Sequence, residues 1–148
     1  MNLREKLIKY EGTKEYQKKL GYYRNGKFYK YRDSLGYFTI GYGHLITSTE
    51  NFDNGLTEVE ANALLDKDIQ KAQQQVGTLG VDVPDDWLEF LTIAIFQLGL
   101  AGLKKFKRML TALEQKDYSE AVRQAKDSLW YRQTKSRIDQ MIAELTNK

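Results

Sequence analysis

Two carboxylates and a threonine stand out as residues that could do chemistry. Glu11 follows Leu7 by four positions and Ile8 by three, which sets it on the apolar stripe of a short helix. It also ends that helix, because Gly12 is a good C-terminal stop, and the helix dipole disfavours negative charge there. Both effects push its pKa up; the plainer alternative is a frayed, solvated glutamate. Asp33 precedes the turn signal Ser34-Leu35-Gly36 and sits beside Arg32 at a wet turn, where it is expected to stay ionised. Thr39 lies past the turn, in the β-branched and aromatic run Tyr37–Ile40, so one hairpin holds Asp33 and Thr39 on either side of a turn. Two carboxylates in environments that pull their pKa values apart mark an acid and base pair. Glycoside hydrolysis needs such a pair flanking the scissile bond. Spacing alone leaves this open, since two acids also meet by chance.

Other chemistries are harder to build. The chain has no cysteine and one histidine, His44, which removes thiol catalysis and disulfides and argues against a zinc site of the usual His/Cys type. A Ser-His-Asp triad would have to use His44, and no nucleophile elbow accompanies it. No cofactor and no metal are expected. Hydrophobic content of 41% and charged content of 29% are those of a soluble globular protein. No run of eighteen apolar residues occurs, so no membrane-spanning helix is expected, and the charged N-terminus lacks the apolar core of a secretory signal. Net charge is +3, spread as +4 over residues 1–55 and −1 over residues 56–148. A mildly basic N-terminal part suits an anionic polymer, although charge alone reads more readily as solubility.

The elements that must position these residues follow from caps and periodicity. Residues 3–11 predict a helix with Leu3, Leu7 and Ile8 on one face. Asn25-Gly26 predicts a hairpin over 21–31, leading into a second around Ser34–Gly36 and giving a small antiparallel sheet of three or four strands. Residues 46–56 read as a loop. Thr57-Glu58-Val59-Glu60 is a capping box opening a helix over 58–75, with Val59, Ala63, Ile69, Ala72 and Val76 on its buried side. A central apolar helix starts at Pro84-Asp85-Asp86 and ends at Gly99. An amphipathic helix follows over 102–114 on Leu103, Phe106, Leu110 and Leu113, then one from Asp117. Ser128–Tyr131 is a short turn or one-turn helix, and a last helix capped by Thr134 carries Ile138, Met141, Ile142 and Leu145. The aromatic and basic run over 22–32 invites a nucleic-acid reading, but Asn25-Gly26 centres it as a hairpin, and no nucleic acid is expected as partner.

Glu11-Gly12, then Asp33, then Thr39-Ile40-Gly41-Tyr42-Gly43-His44-Leu45 resembles the catalytic region of the phage lysozyme family, muramidases of the T-even endolysin type in glycoside hydrolase family 24. Phe96-Gln97-Leu98-Gly99, Arg108-Met109-Leu110 and Trp130–Thr134 fall in the family's order, so the resemblance covers nearly the whole chain. It implies an α+β lysozyme-like fold in one domain over 1–148. A small N-terminal lobe with an antiparallel sheet, 13–56, would be joined by a long helix, 57–77, to a mostly helical lobe, 78–148. Helix 3–11 would pack on the helical lobe, and a cleft would lie between the lobes.

The resemblance also implies roles. Glu11 would protonate the glycosidic oxygen, Asp33 would activate water, and Thr39 would hold that water, with inversion at the anomeric carbon. Arg137 would pair with Glu11 and oppose the rise in its pKa. His44 would pair with Asp68. Leu45, Phe96, Phe106 and Arg123 match substrate-binding positions, with Phe106 equally suited to core packing. The segment between Glu11 and Asp33 is longer than in the compact T-even enzyme. The implied partner is bacterial cell-wall peptidoglycan, cleaved by a bacteriolytic monomer without stable membrane insertion. Synthesis in the host cytoplasm without a signal peptide, and release by a partner such as a holin, complete the expectation. The rival from another class is a non-catalytic cell-wall-binding module.

Overall fold

The structure, a computed structural model, describes all of residues 1–148. It divides into two compact units, Met1–Lys71 and Ala72–Lys148.

In the first unit, Asn2 accepts the Glu5 amide hydrogen at 2.8 Å and opens helix α1, Leu3–Glu11. Leu7 and Tyr10 are its buried residues, while Leu3 and Ile8 are half-buried. A second helix, α2, Lys14–Leu20, occupies a stretch with no apolar periodicity. Thr13 caps it by accepting from Tyr16, and Gly21 ends it in the left-handed region at φ 82°. The Asn25-Gly26 turn has φ of 53° and 75°, the backbone of a tight hairpin. It joins strand β1, Tyr23–Arg24, to β2, Lys27–Phe28. Strand β6, Leu56–Thr57, pairs with β2 on its other edge, Leu56 opposite Phe28.

A separate sheet holds β3, Tyr31–Arg32, β4, Phe38–Ile40, and β5, His44–Leu45, in that order. The expected single sheet is therefore two sheets of three strands. The stretch 46–56, read as loop, supplies the extra strand at its end. A Cβ on Gly55 would lie 2.8 Å from the Phe28 carbonyl oxygen, and only glycine lets the backbone approach this closely.

The capping box forms as expected. The Thr57 amide donates to Glu60 at 2.9 Å, and the Glu60 amide donates to Thr57 Oγ1 at 3.2 Å. Helix α3 runs from Glu58 to Gly77, past the end of the first unit. Its buried residues include Ala61, Leu65, Ala72 and Val76, whereas Val59 is 80% exposed and Ala63 is also exposed. Alanines populate both faces, so periodicity pointed to the wrong one near the helix start.

The second unit is helical. Helix α4, Asp85–Lys104, is two helical segments that meet at Gly99, whose φ of 69° and ψ of 168° are not helical, so the first segment ends at Gly99 as expected. Phe90 through Gln97 is a continuous buried run. By length and composition α4 is apolar enough to cross a bilayer, with a mean hydropathy of 1.3, and 56% of its apolar stretch is buried inside the protein. Helices α5, Lys107–Glu114, α6, Tyr118–Lys126, α7, Leu129–Gln133, and α8, Lys135–Ala143, follow. The expected 102–114 helix is thus the tail of α4 plus α5, with Phe106 at the break.

Asp117 and Ser128 cap α6 and α7 through their side chains. Thr134 does not cap α8 in this way, because its hydroxyl donates to the Trp130 carbonyl at 2.7 Å. The chain end is tied to the start of α4. Asp86 accepts the amides of Thr146 and Asn147 at 3.0 and 2.9 Å, and Trp87 Nε1 donates to the Asn147 carbonyl at 2.8 Å.

Candidate active site

The β3-β4-β5 sheet sets the first rank of site residues. Tyr31 opposes Thr39, and Thr39 opposes Leu45. Directly opposed residues point to the same face of a sheet, so Tyr31, Thr39 and Leu45 form one row. The Tyr31 hydroxyl donates to the Glu11 carbonyl at 3.2 Å. That bond ties the C-terminal end of α1 to the face that carries Thr39. The Tyr31 ring is held in turn by Tyr22, stacked at 4.6 Å with the rings 7° from parallel.

The Glu11 side chain lies against backbone. Gly43 has φ 87°, and a Cβ built there would sit 2.6 Å from Glu11 Cγ and 2.9 Å from Cδ. The second glycine of the Gly41-Tyr42-Gly43 stretch is thus a contact surface for the carboxylate's stem. No larger residue leaves Glu11 where it is.

Asp33 closes the hairpin. One of its oxygens, Oδ1, accepts the amides of Leu35 and Tyr37, both at 2.9 Å. The turn thereby holds the carboxylate in one orientation and occupies one oxygen, leaving Oδ2 with unspent acceptor capacity. Thr39 is 1% exposed, and its hydroxyl donates to the Tyr37 carbonyl at 3.2 Å. With its hydrogen used, Thr39 Oγ1 offers lone pairs.

With this geometry established, the relatives are informative. A family model described as phage lysozyme matches residues 25–146. The chain belongs to the phage lysozyme family. Asp33, Thr39 and His44 fall inside the matched span, and Glu11 lies ahead of it. The pre-baseplate central spike protein Gp5 of Enterobacteria phage T4 is 31% identical over 137 residues, which cover 75% of this chain and 24% of that protein. Two proteins of Dictyostelium discoideum, probable T4-type lysozymes 1 and 2, are each 26% identical over 151 residues, covering 84% of this chain and 89% of theirs. The chain is accordingly a lysozyme-type enzyme, a glycoside hydrolase of the muramidase class, on the α+β lysozyme-like fold.

His44 joins strand β5 to α3 and to the loop that follows β5. Its Nδ1 lies 2.8 Å from Asp68, as expected, and its Nε2 lies 3.0 Å from both oxygens of Glu50. Burial alone would lower the His44 pKa, but Asp68 and Glu50 outweigh it and raise the value. Burial likewise works to raise the Glu50 pKa, and the Thr47 amide and His44 outweigh it, holding the carboxyl below its ordinary value.

Glu50 and Tyr31 are site residues that caps, periodicity and family resemblance do not point to. The hint for Glu50 was a lone acid in the polar stretch 46–52. For Tyr31 it was the i to i+2 spacing to Asp33, which sets both on one side of an extended strand.

The other expected site residues lie in the second unit. Phe96 is 5% exposed, inside the buried run of α4. Phe106 is half-buried and meets Trp130 edge-on at 5.9 Å. It also lines a surface depression of about 370 Å³ with Lys105, Lys107, Arg108, Gln124 and Asp127, so core packing and surface exposure share this side chain. Arg123 is exposed and ion-paired with Glu120 on its own helix. Arg137 is half-buried on α8.

Proposed function

We propose that this enzyme hydrolyses the β-1,4 bond between N-acetylmuramic acid and N-acetylglucosamine of bacterial peptidoglycan, by general acid–base catalysis with inversion. Glu11 is the acid and donates its proton to the glycosidic oxygen as the bond from that oxygen to C1 breaks. Asp33 accepts a proton from water as the water oxygen bonds to C1 from the opposite face. Thr39 accepts the other water hydrogen and fixes the direction of attack.

The observation that carries this reading is how the hairpin divides its hydrogen bonds. Asp33 Oδ1 is spent on the turn, and the Thr39 hydrogen is spent on Tyr37. What these two groups still offer a water molecule is acceptor capacity, which is what a general base and its helper need. Tyr31 and Gly43 brace Glu11 against the same sheet.

Glu11→Gln tests it. The amide matches the carboxyl in shape and cannot donate an acidic proton, so release of reducing ends from peptidoglycan should fall by about 10²–10⁴-fold with the fold intact. Full activity in this variant removes Glu11 as the acid. The anomer released first, followed by NMR, should be α; a β product refutes inversion.

A further inference from the structure

Helix α2 buries a single side chain, Gln17, which is 1% exposed among Lys14, Glu15, Lys18 and Lys19. Its Nε2 donates twice, to the carbonyls of Gly12 and Gly41, both at 2.9 Å. Two carbonyl acceptors settle the orientation of the amide, since only the nitrogen can face them. Its Oε1 is buried without a hydrogen-bond partner. Such an orphan is costly, and an apolar residue of similar size would not incur it. Packing alone therefore does not account for a glutamine here, whereas its two N–H groups do.

What those groups join is specific. The Gly12 peptide follows Glu11, and Gly41 comes two residues after Thr39. Gly12 has φ 120° and Gly41 has φ 64°, so each carbonyl sits where the chain changes direction.

We propose that Gln17 is a positioning residue for the hydrolytic reaction, clamping the peptide behind Glu11 to the end of the Thr39 strand so that acid and strand keep a fixed separation. The inference deepens the reading of Glu11 as the acid and rests on it. The segment between Glu11 and Asp33 then has a function: α2 carries the clamp, and Tyr22 on the following turn steadies Tyr31.

The test compares Gln17→Met with wild type on soluble peptidoglycan fragments, after circular dichroism confirms folding. Methionine keeps the volume and removes both donors. We expect kcat to fall about tenfold to a hundredfold, the range for displacing a catalytic group by up to about 1 Å. KM should stay within about twofold, because no donor to substrate is removed. The basic limb of the kcat–pH profile, which reports the acid's ionisation, should also move.

Wild-type kcat in folded Gln17→Met overturns the proposal. So does a loss that follows the folded fraction with an unshifted pH profile. Should Gln17→Met fail to fold, the isosteric Gln17→Glu decides. Its ionised carboxylate cannot donate and its neutral form can, so activity relative to wild type should rise as pH falls; a constant ratio overturns the proposal. Glu11→Gln separates the two failures. An active Glu11→Gln ends both readings, while an inactive one beside a wild-type Gln17→Met ends only the role of Gln17.

Discussion

Replacing Gly43 by alanine should separate the stability of the hairpin from its chemistry. Gly43 has φ 87°, and an L-residue held in this left-handed region costs about 1–2 kcal/mol. The added Cβ would lie 2.6 Å from Glu11 Cγ, against an optimal carbon–carbon separation of about 3.5–4.0 Å. Roughly 1 Å must be found by moving either Glu11 or the glycine turn. A displacement of that size at a catalytic group is worth about a hundredfold in rate, or about 2.7 kcal/mol of barrier.

Gly21→Ala is the matched control. Its φ is 82° and nothing lies within 4 Å of the new Cβ, so it carries the conformational cost without the contact. Both variants should lose about 1–2 kcal/mol in urea denaturation, or about 2–8 °C in Tm at this chain length. Only Gly43→Ala should also lose about a hundredfold in kcat, measured as reducing ends released from peptidoglycan. Near-wild-type kcat in Gly43→Ala would refute the packing of Glu11 on this glycine. An equal loss in Gly21→Ala would show that activity follows stability instead.

Two more outcomes follow from the titrating groups. The raised His44 pKa contributes stability that is fully present below the ordinary histidine range and is lost as pH rises through the folded value. The lowered Glu50 pKa contributes stability present above the ordinary glutamate range and lost as pH falls through its folded value. The stability gap between wild type and Glu50→Gln should therefore be widest between about pH 5 and 6.5 and narrow as pH rises through the folded value of His44, leaving the part carried by the Thr47 amide; a gap that does not change with pH sinks the pairing. Asp86→Ala removes the acceptor of the Thr146 and Asn147 amides, so stability should fall by about 1–3 kcal/mol and amide exchange should quicken over residues 144–148. Burial works to raise the Asp86 pKa, but these amides outweigh it and lower the value. The effect of the substitution should then vanish as pH falls through the folded value; unchanged exchange at the chain end contradicts the tether.

The helix ends were legible because capping is local. Gly12 after Glu11, Thr57 with Glu60, and Asp117 each act within four residues, a range a sequence displays directly. Thr134 misled because the Trp130 carbonyl, four residues earlier, takes its hydroxyl. Helix α2 went unseen because helix recognition leans on an apolar stripe, and its one buried residue is polar. The second sheet went unseen because strands of two residues have no period, and β6 pairs with β2 only once the 27 residues between Phe28 and Leu56 have folded back.

At the site, the residue types and their order along the chain came from the sequence itself. It presented Glu11 at a helix end, Asp33 before a turn, Thr39 on the returning strand and glycines at 41 and 43. Their mutual support did not come that way. The Tyr31 hydroxyl on the Glu11 carbonyl, Gly43 against the Glu11 stem, Gln17 between Gly12 and Gly41, and Glu50 behind His44 are each matters of distance. Caps and turns are set by dihedral preferences of neighbouring residues, which a sequence lists in order. Bracing is set by atoms from segments far apart in the chain, and only packing brings those to within a hydrogen bond.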